Sequence, residues 1–242
     1  APRMSRLIIV RHAQASFFDD DYDNLSDLGR QQSALLGKFW DQHGLNPSRV
    51  ICGPRRRHRQ TVELAAGEIG ARETGWPEVE VREGFDEHKL DRLLGEPLEG
   101  LKELYPELRV LSDRHQAAET KSEKLRTFQL LFEAIGKLWR EAAPGTEATQ
   151  SWQEYKQGVI REIGEIVRNA EKNSTQVVVT SVGGVTAVLA EIVSRSDEQA
   201  FELGWRIRNS SVTEFVFSGR KITLDTFNNL AHLPEKQHWT FR

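Results

Sequence analysis

Residues 7–12 read Leu-Ile-Ile-Val-Arg-His, four apolar residues followed directly by two ionisable ones. A short, fully apolar and partly β-branched run is typical of a central strand of a parallel sheet, which is buried on both faces. Similar runs occur at Arg49–Cys52 and Gln176–Thr180, and Val79–Val81 alternates like an edge strand. Because helical patterns separate these runs, the sequence predicts an α/β fold with a doubly wound, mostly parallel sheet flanked by helices.

Capping residues predict where the helices begin and end. Ser26 suits the N-cap of a first helix that runs to His43, and Gly44 suits the position just after its end. The other predicted elements are a helix through Thr61 to Ile69, a helix from Trp152 to about Asn169, a turn at Gly183–Gly184, a helix from about Val185 to Val193, and a hairpin of Ser211–Phe217 with Lys221–Thr226.

The stretch from about Leu90 to Arg140 is helical in pattern and highly charged, and it contains no clear strand. We interpret it as a helical insertion over the sheet and the active site, forming part of a lid. The 242 residues are otherwise expected to form a single domain around one sheet. Met4 is the only methionine, so residues 1–3 are expected to be a remnant of expression.

Charge and cysteine content exclude several classes of partner. The formal net charge is −3, which gives no general attraction to nucleic acid or to an anionic membrane surface. Residues 174–190 carry no charge, but the run is short for a membrane span and polar residues interrupt it. The single cysteine, Cys52, excludes an internal disulfide and suits a reducing compartment. We therefore expect a soluble, cytoplasmic protein, and a homodimer is a fair expectation because dimers are the commonest oligomers.

Polar side chains follow each predicted parallel strand, in the segments Arg11–Gln14, Arg55–Thr61, Phe85–His88 and Ser181–Gly184. Ligands of doubly wound sheets bind beyond the carboxyl ends of the strands, so the fold should gather these segments at one rim. An imidazole can attack phosphorus, arginine binds phosphate through its planar fork, and a carboxylic acid can protonate a leaving oxygen. The sequence therefore predicts a site for a phosphoryl group.

Other interpretations compete with a phosphoryl site. The arginines at 55–59 could form a solvated face or a nucleic-acid patch, but no interleaved aromatic residues support nucleic acid. The histidines show no metal-ligand spacing and only one cysteine is available, so no metal site is expected. His58, His88 and His232 are interpreted as rim or structural residues.

These segments resemble the histidine phosphatase superfamily, which includes cofactor-dependent phosphoglycerate mutases and many phosphatases. Arg11-His12-Ala13 resembles the Arg-His-Gly motif of that family, and the resemblance continues through Gln14–Phe17 and Leu25–Gln31. Arg57–Thr61 resembles its Arg-x-x-Gln-Thr helix start, and Phe85-Asp86-Glu87 resembles its Leu-Asn-Glu segment. The resemblance covers nearly the whole chain apart from the helical insertion.

The resemblance implies a role for each residue. His12 is the phosphoryl acceptor, Arg11 and Arg57 bind the phosphate, and Glu87 is the proton donor, with Glu83 as its competitor. Gln14 either lines the pocket or caps a turn.

The fourth strand end departs from the family pattern. Most members have Ser-His-Gly-Gly there, and counting back from Gly183 puts Val182 in the histidine slot. Some relatives have Thr-Ser-Gly-Gly, which Thr180–Gly184 resembles with one extra residue, so Ser181 would partly replace the missing donor. Loss of a charge-assisted hydrogen bond costs about 1.5–3 kcal/mol, which damages activity without necessarily abolishing it. A smaller departure is Ala13 in place of the motif glycine.

Three functions follow from these residues, in order of preference. The first is a phosphomonoesterase acting through a phosphohistidine on a small phosphorylated substrate. The second is a catalytically weak relative that binds a phosphorylated ligand or a protein partner, which Val182 motivates. A phosphoglycerate-type mutase ranks last, because no residue pattern indicates a glycerate site.

Overall fold

The computed structural model describes residues 4–16, 23–70 and 75–241. The chain divides into two compact units. We call Ala1–Glu87 with Gly158–Arg242 the sheet unit, and His88–Gln157 the helical unit.

The sheet unit contains one six-stranded sheet in the order β3-β2-β4-β1-β5-β6. The first four strands along the chain are mutually parallel, whereas β5 pairs antiparallel with both β1 and β6. The predicted α/β class and mostly parallel sheet are therefore confirmed. The strands are β1 (Ser5–Arg11), β2 (Arg49–Cys52), β3 (Val79–Val81), β4 (Thr175–Thr180), β5 (Val212–Ser218) and β6 (Lys221–Asn229).

Eight α-helices accompany the sheet within the described part of the chain. They are α1 (Asp27–Gln42), α2 (Arg56–Gly67), α3 (Pro97–Leu104), α4 (Pro106–Gln116), α5 (Lys121–Arg140), α6 (Trp152–Asn169), α7 (Val182–Ile192) and α8 (Asp197–Gly204).

The core explains why the strands are so apolar. Ile8 and Val10 of β1 belong to a cluster with Leu36 of α1 and Val62 of α2. The alternate residues of β1, Leu7 and Ile9, are equally buried, so both faces of this strand are covered. Each fully buried aliphatic side chain contributes about 1.5–3 kcal/mol, which makes the continuous apolar run the main stabilising feature of the sheet.

Cys52 is the last residue of β2 and is buried in the same core. Burial raises the pKa of its thiol to about 11, because a thiolate would lose its solvation there. The residue therefore behaves as a small apolar side chain, as the sequence predicted.

The first helix has the predicted boundaries. The side chain of Ser26 accepts a hydrogen bond of 3.0 Å from the backbone N–H of Gly29, and Gly44 has a φ of +61° just after the helix. Gly29 itself is required by a close approach, because a Cβ at this position would overlap the carbonyl oxygen of Gln14.

The turn predicted at Gly183–Gly184 is wrong, because both glycines lie in the first turn of α7. The change of direction after β4 is made by Ser181, whose backbone is extended. Gly184 serves close packing, since a Cβ there would lie 2.5 Å from the hydroxyl oxygen of Thr180. Two smaller differences are the helix α8, which was not predicted, and β6, which runs three residues past the predicted Thr226 to Asn229.

The helical unit contains α3, α4, α5 and the start of α6, and no strand occurs among its described residues. Thr120 caps α5 through a reciprocal pair of hydrogen bonds with Glu123. Trp139 and Trp152 are buried and pack edge to face, with ring centroids 5.7 Å apart. The helical pattern expected for 90–140 is confirmed, whereas its position over the sheet and its role as a lid stay predictions. No helix in the described ranges is long and apolar enough to cross a membrane.

Candidate active site

His12 lies immediately beyond β1 and is held through its backbone on two sides. Its N–H donates to the carbonyl of Thr180 at 2.8 Å, and its carbonyl accepts from the backbone N–H of Ser210 at 3.2 Å. Only 4% of the residue is exposed. The strand end therefore fixes the position from which the imidazole extends.

Hydrogen bonds to the His12 ring define its tautomer. Nδ1 lies 2.7 Å from the carbonyl oxygen of Ala13, which can only accept, so Nδ1 carries the hydrogen. Nε2 then presents a lone pair, which accepts from Nε of Arg57 at 3.2 Å. Burial, followed by the positive charge of Arg57, holds the pKa of His12 well below its usual range. The neutral ring is therefore the form present near pH 7, as a nucleophile requires.

Arg57 connects the polar residues of the site. It is the second residue of α2 and is 3% exposed. Besides donating to His12, its guanidinium donates to Asp23 at 2.7 Å and to Glu87 at 3.4 Å. The structure thus brings together three of the predicted catalytic residues, His12, Arg57 and Glu87.

Asp23 was not predicted as part of the site. Its second carboxylate oxygen accepts from the backbone N–H of Arg56 at 2.9 Å, at the first residue of α2. A carboxylate suits a helix N-terminus, where backbone N–H groups have no partner within the helix. No motif marked Asp23, and residues 17–22, which precede it, lie outside the described ranges.

Glu87 and its competitor Glu83 have different surroundings. Glu87 contacts Arg57, and its backbone N–H donates to the carboxylate of Asp86 at 2.7 Å. Asp86 is itself paired with Arg55 through two nitrogen–oxygen contacts. Glu83, in contrast, is exposed in a single turn of 3-10 helix. The geometry therefore favours Glu87 over Glu83 as the carboxylate that is linked to His12, through Arg57.

Arg11 is buried but has a different set of partners. Its two terminal nitrogens donate to the backbone carbonyls of Ile207 at 2.5 Å and Phe241 at 2.7 Å. These bonds tie the end of β1 to the segment before β5 and to Phe241, the last described residue. A contact between Arg11 and phosphate stays a prediction.

Gln14 contacts the start of α1. Its side-chain oxygen accepts from the hydroxyl of Ser26 at 2.8 Å, and its carbonyl accepts from the Ser26 backbone N–H at 3.0 Å. Of the two interpretations, these bonds match the capping one, and a pocket-lining role stays a prediction.

The fourth strand end brings a second imidazole to the site. Ser181 is fully buried, and its hydroxyl oxygen lies 2.8 Å from Nε2 of His58. The His58 ring is also fully buried, with its centroid 5.5 Å from that of His12. Val182 and Gly183 are the first two residues of α7, the former partly exposed and the latter buried. His58 is thus a site residue that the sequence interpretation had assigned to the rim or to a structural role.

The site thus places a neutral histidine beside an arginine and a carboxylate at the rim of a mostly parallel sheet, and these residue types are suited to phosphoryl transfer. The family model described as histidine phosphatase superfamily (branch 1) matches residues 7–130, about half of the chain. The chain belongs to this family. No curated protein matches the sequence significantly.

Solved structures of similar fold span nearly the whole chain. A phosphoglycerate mutase from Bacillus anthracis has a TM-score of 0.65 and 16% identity, covering 96% of each chain. A putative α-ribazole-5′-P phosphatase from Escherichia coli has a TM-score of 0.62 and 16% identity, covering 93% of this chain and 97% of the other. A phosphoserine phosphatase from Entamoeba histolytica has a TM-score of 0.63 and 18% identity, covering 95% of this chain and all of the other. At these identities the likeness establishes the fold.

Proposed function

We propose that the protein is a metal-independent phosphomonoesterase that hydrolyses a small phosphorylated substrate through a phosphohistidine at His12. The state of His12 carries this proposal: Nδ1 is held by the Ala13 carbonyl, and the lone pair of Nε2 lies beside Arg57. A neutral imidazole with its lone pair fixed in direction is suited to attack phosphorus.

In the first half of the reaction, Nε of Arg57 exchanges Nε2 of His12 for a phosphoryl oxygen. The freed lone pair of Nε2 then forms a bond to phosphorus while the ester P–O bond breaks. Arg57 donates to the phosphoryl oxygens, where its planar fork stabilises the charge. Glu87, 3.4 Å from Arg57, acts as a carboxylic acid and gives its proton to the leaving oxygen.

In the second half, the Glu87 carboxylate takes a proton from water as the water oxygen attacks phosphorus. The N–P bond breaks, its electron pair returns to Nε2 of His12, and orthophosphate is released. No metal or organic cofactor enters either step.

The remaining predicted residues have supporting roles in this proposal. Arg11 adds positive charge near the phosphate while its terminal nitrogens stay on two backbone carbonyls, and Gln14 lines the substrate pocket. Ser181, Val182 and Gly183 lie at the N-terminus of α7, where backbone N–H groups suit an anion.

The names of the structural neighbours support a monoester substrate. They include phosphatases of α-ribazole-5′-P and phosphoserine, from Escherichia coli and Entamoeba histolytica. A phosphoglycerate mutase is also among them, so mutase activity is a lesser alternative. A cytoplasmic location, a homodimer and a lack of nucleic-acid or membrane partners stay predictions.

One observation favours a weaker catalyst that binds a phosphorylated ligand or a protein partner. Arg57 already donates to Asp23 and Glu87, and Arg11 donates to two backbone carbonyls. An incoming phosphate must displace some of these partners, which lowers its net affinity. This second candidate predicts phosphate binding with little turnover.

The test is hydrolysis of p-nitrophenyl phosphate, without added metal, by the wild type and by His12→Ala. The exposed residue His43, at the end of α1, provides the matched control His43→Ala. We expect turnover in the wild type and the control, and a loss of at least about a thousandfold in His12→Ala, because the nucleophile is removed. Rapid quenching should trap an acid-labile, alkali-stable phosphoenzyme. Absence of turnover in the wild type, or turnover that survives in His12→Ala, would overturn the proposal.

A further inference from the structure

A second buried imidazole, that of His58, lies beside His12. Its ring has no exposed surface, and burial of a polar ring costs free energy unless it is used for hydrogen bonding. Gly53 makes room for it, because a Cβ at that position would overlap Nδ1 of His58. A glycine at this position loses more backbone conformational entropy on folding than another residue would, and this is the cost of accommodating the ring. The centroid of the His58 ring lies 5.5 Å from that of His12.

The partner of His58 is Ser181, the first residue after β4. Ser181 occupies the N-cap position of α7, yet its hydroxyl makes no capping hydrogen bond. It lies instead 2.8 Å from Nε2 of His58. The parallel register pairs Arg11 with Thr180, so His12 and Ser181 are the first residues beyond two adjacent strand ends. Adjacent strands of a sheet are about 4.8 Å apart, so the Ser181 hydroxyl and the His12 imidazole extend from neighbouring strand ends.

The hydrogen bonding of His58 indicates which nitrogen carries its proton. Nδ1 is buried and has no hydrogen-bond partner among the described residues. A buried N–H without a partner is rarer than an unused lone pair, so the proton belongs on Nε2. Burial lowers the pKa of His58 to about 3, so the ring carries one proton near pH 7. His58 therefore donates to Ser181, which leaves the hydroxyl hydrogen of Ser181 to be donated elsewhere.

We propose that His58 is a positioning residue for Ser181, and that the Ser181 hydroxyl donates to a phosphoryl oxygen while His12 attacks phosphorus. This inference rests on the proposed function. The side chain of Val182, the next residue, has no donor to offer. The pair therefore brings a side-chain hydrogen-bond donor to the fourth strand end, with His58 supplied by α2 and Ser181 by the turn between β4 and α7.

A purely structural role is the competing explanation, and the molecule contains a matched control for it. His232 is also buried and lies 2.9 Å from the hydroxyl of Ser210 through its Nε2. Burial lowers the pKa of His232 to about 4, so both rings are neutral. The variants His58→Ala and His232→Ala each remove a buried imidazole from a serine partner, and only the first should slow phosphoryl transfer.

The experiment measures kcat, KM, the rate of phosphoenzyme formation and the urea midpoint for Ser181→Ala, His58→Ala, their double variant and His232→Ala. We expect phosphoenzyme formation to fall about a hundredfold in Ser181→Ala, since one donor to the developing charge is lost. The rate of phosphoenzyme formation should fall to a similar extent in His58→Ala, and it should fall no further in the double variant. His58→Gln, which can present an N–H near the place of Nε2, should recover part of the rate. His232→Ala should lose stability but keep its rate within about twofold, because Ser210 holds His12 through its backbone N–H and not through the hydroxyl that contacts His232.

Binding of inorganic phosphate provides a second measurement that does not depend on turnover. We expect Ser181→Ala and His58→Ala to weaken it about three- to tenfold, and His232→Ala to leave it unchanged. If the wild type turns over but neither Ser181→Ala nor His58→Ala differs from His232→Ala, this inference is wrong and the proposed function stands. If the wild type has no turnover, the proposed function fails, and the phosphate measurement alone decides whether the pair is a phosphate donor. Should His58→Ala fail to fold, Ser181→Ala and His58→Gln decide the matter.

Discussion

Arg11 and Arg57 lie at the same rim, close to His12, and are buried to a similar degree, with 8% and 3% of their surfaces exposed. Their partners differ in kind. Each nitrogen of the Arg57 guanidinium donates to a side chain, whereas the two terminal nitrogens of Arg11 donate to main-chain carbonyls. Side chains can turn away when a phosphate arrives, but a carbonyl moves only if its backbone moves. A buried arginine beside a nucleophile is therefore suited to phosphate only if its partners can be exchanged.

Among the substitutions that separate the two arginines, Arg57→Lys should have the largest effect on kcat/KM. Lysine keeps the charge but loses the planar fork, so kcat/KM should fall about a hundredfold. The free energy of unfolding should change by less than about 1 kcal/mol, because the side chains of Asp23 and Glu87 are partly exposed and water can replace the lost donors. Steady-state kinetics and urea unfolding measure the two quantities. A fall of less than tenfold in kcat/KM would remove Arg57 from the phosphate site.

Arg11→Lys should lower stability more than it lowers activity, the opposite of Arg57→Lys. One ammonium cannot reach both the Ile207 and the Phe241 carbonyls, so about 2 kcal/mol of stability should be lost. For a chain of this size that corresponds to a Tm lower by about 4–8 °C, measurable by calorimetry. We expect kcat/KM to fall less than tenfold. A hundredfold fall at unchanged Tm would show instead that Arg11 binds phosphate, as the sequence motif predicts.

Asp23→Asn tests whether the partners of Arg57 compete with phosphate. The carboxylate occupies one arginine nitrogen at 2.7 Å and repels an incoming anion. Removing its charge should tighten inhibition by inorganic phosphate about fivefold, equivalent to about 1 kcal/mol. The exposed acid Glu83 provides the control variant Glu83→Gln, which should leave the inhibition constant unchanged. Weaker phosphate binding in Asp23→Asn would mean that Asp23 orients Arg57 and does not compete with the ligand.

The smallest expected effect is a shift in the pH dependence of kcat/KM when either arginine is replaced by glutamine. Both arginines lower the pKa of His12, Arg57 more than Arg11. Removal of a positive charge favours the imidazolium form, so the pKa rises and the acid limb of kcat/KM moves to higher pH. The shift should be larger in Arg57→Gln than in Arg11→Gln, and the same substrate must be used for both profiles so that its own ionisation cancels. Equal shifts would mean that the two guanidinium groups act on Nε2 to the same extent.

Local signals account for the parts of the fold that could be predicted. The apolar run of β2, the alternating pattern of β3 and the Ser26 cap of α1 depend on residues adjacent in sequence, and their boundaries were correct. The start of α7 was predicted too late because glycine costs a helix about 1 kcal/mol relative to alanine. Packing of Gly184 on Thr180 outweighs this cost, and packing of that kind cannot be read from a propensity.

In the candidate site, too, some contacts could be predicted from the sequence and others could not. The strand-end rule predicted that His12, Arg57 and Glu87 would meet, and the structure brings them together. The His58–Ser181 contact joins residues 123 apart in sequence, and nothing local to either residue specifies it. The only available signal was that His58 directly follows Arg57, on a helix whose first turns face the strand ends.

Cys52 has a practical consequence for experiments on this protein. Its thiol is enclosed by the core and has a raised pKa, so maleimides and disulfide reagents should react with it very slowly. Since it is the only cysteine, a new cysteine on the surface would be the single fast-reacting group, with no need to mutate the native one. Pairs of such cysteines, one in the sheet unit and one in the helical unit, could carry fluorescent or spin labels. Changes in their separation on adding phosphate would report directly whether the helical unit closes.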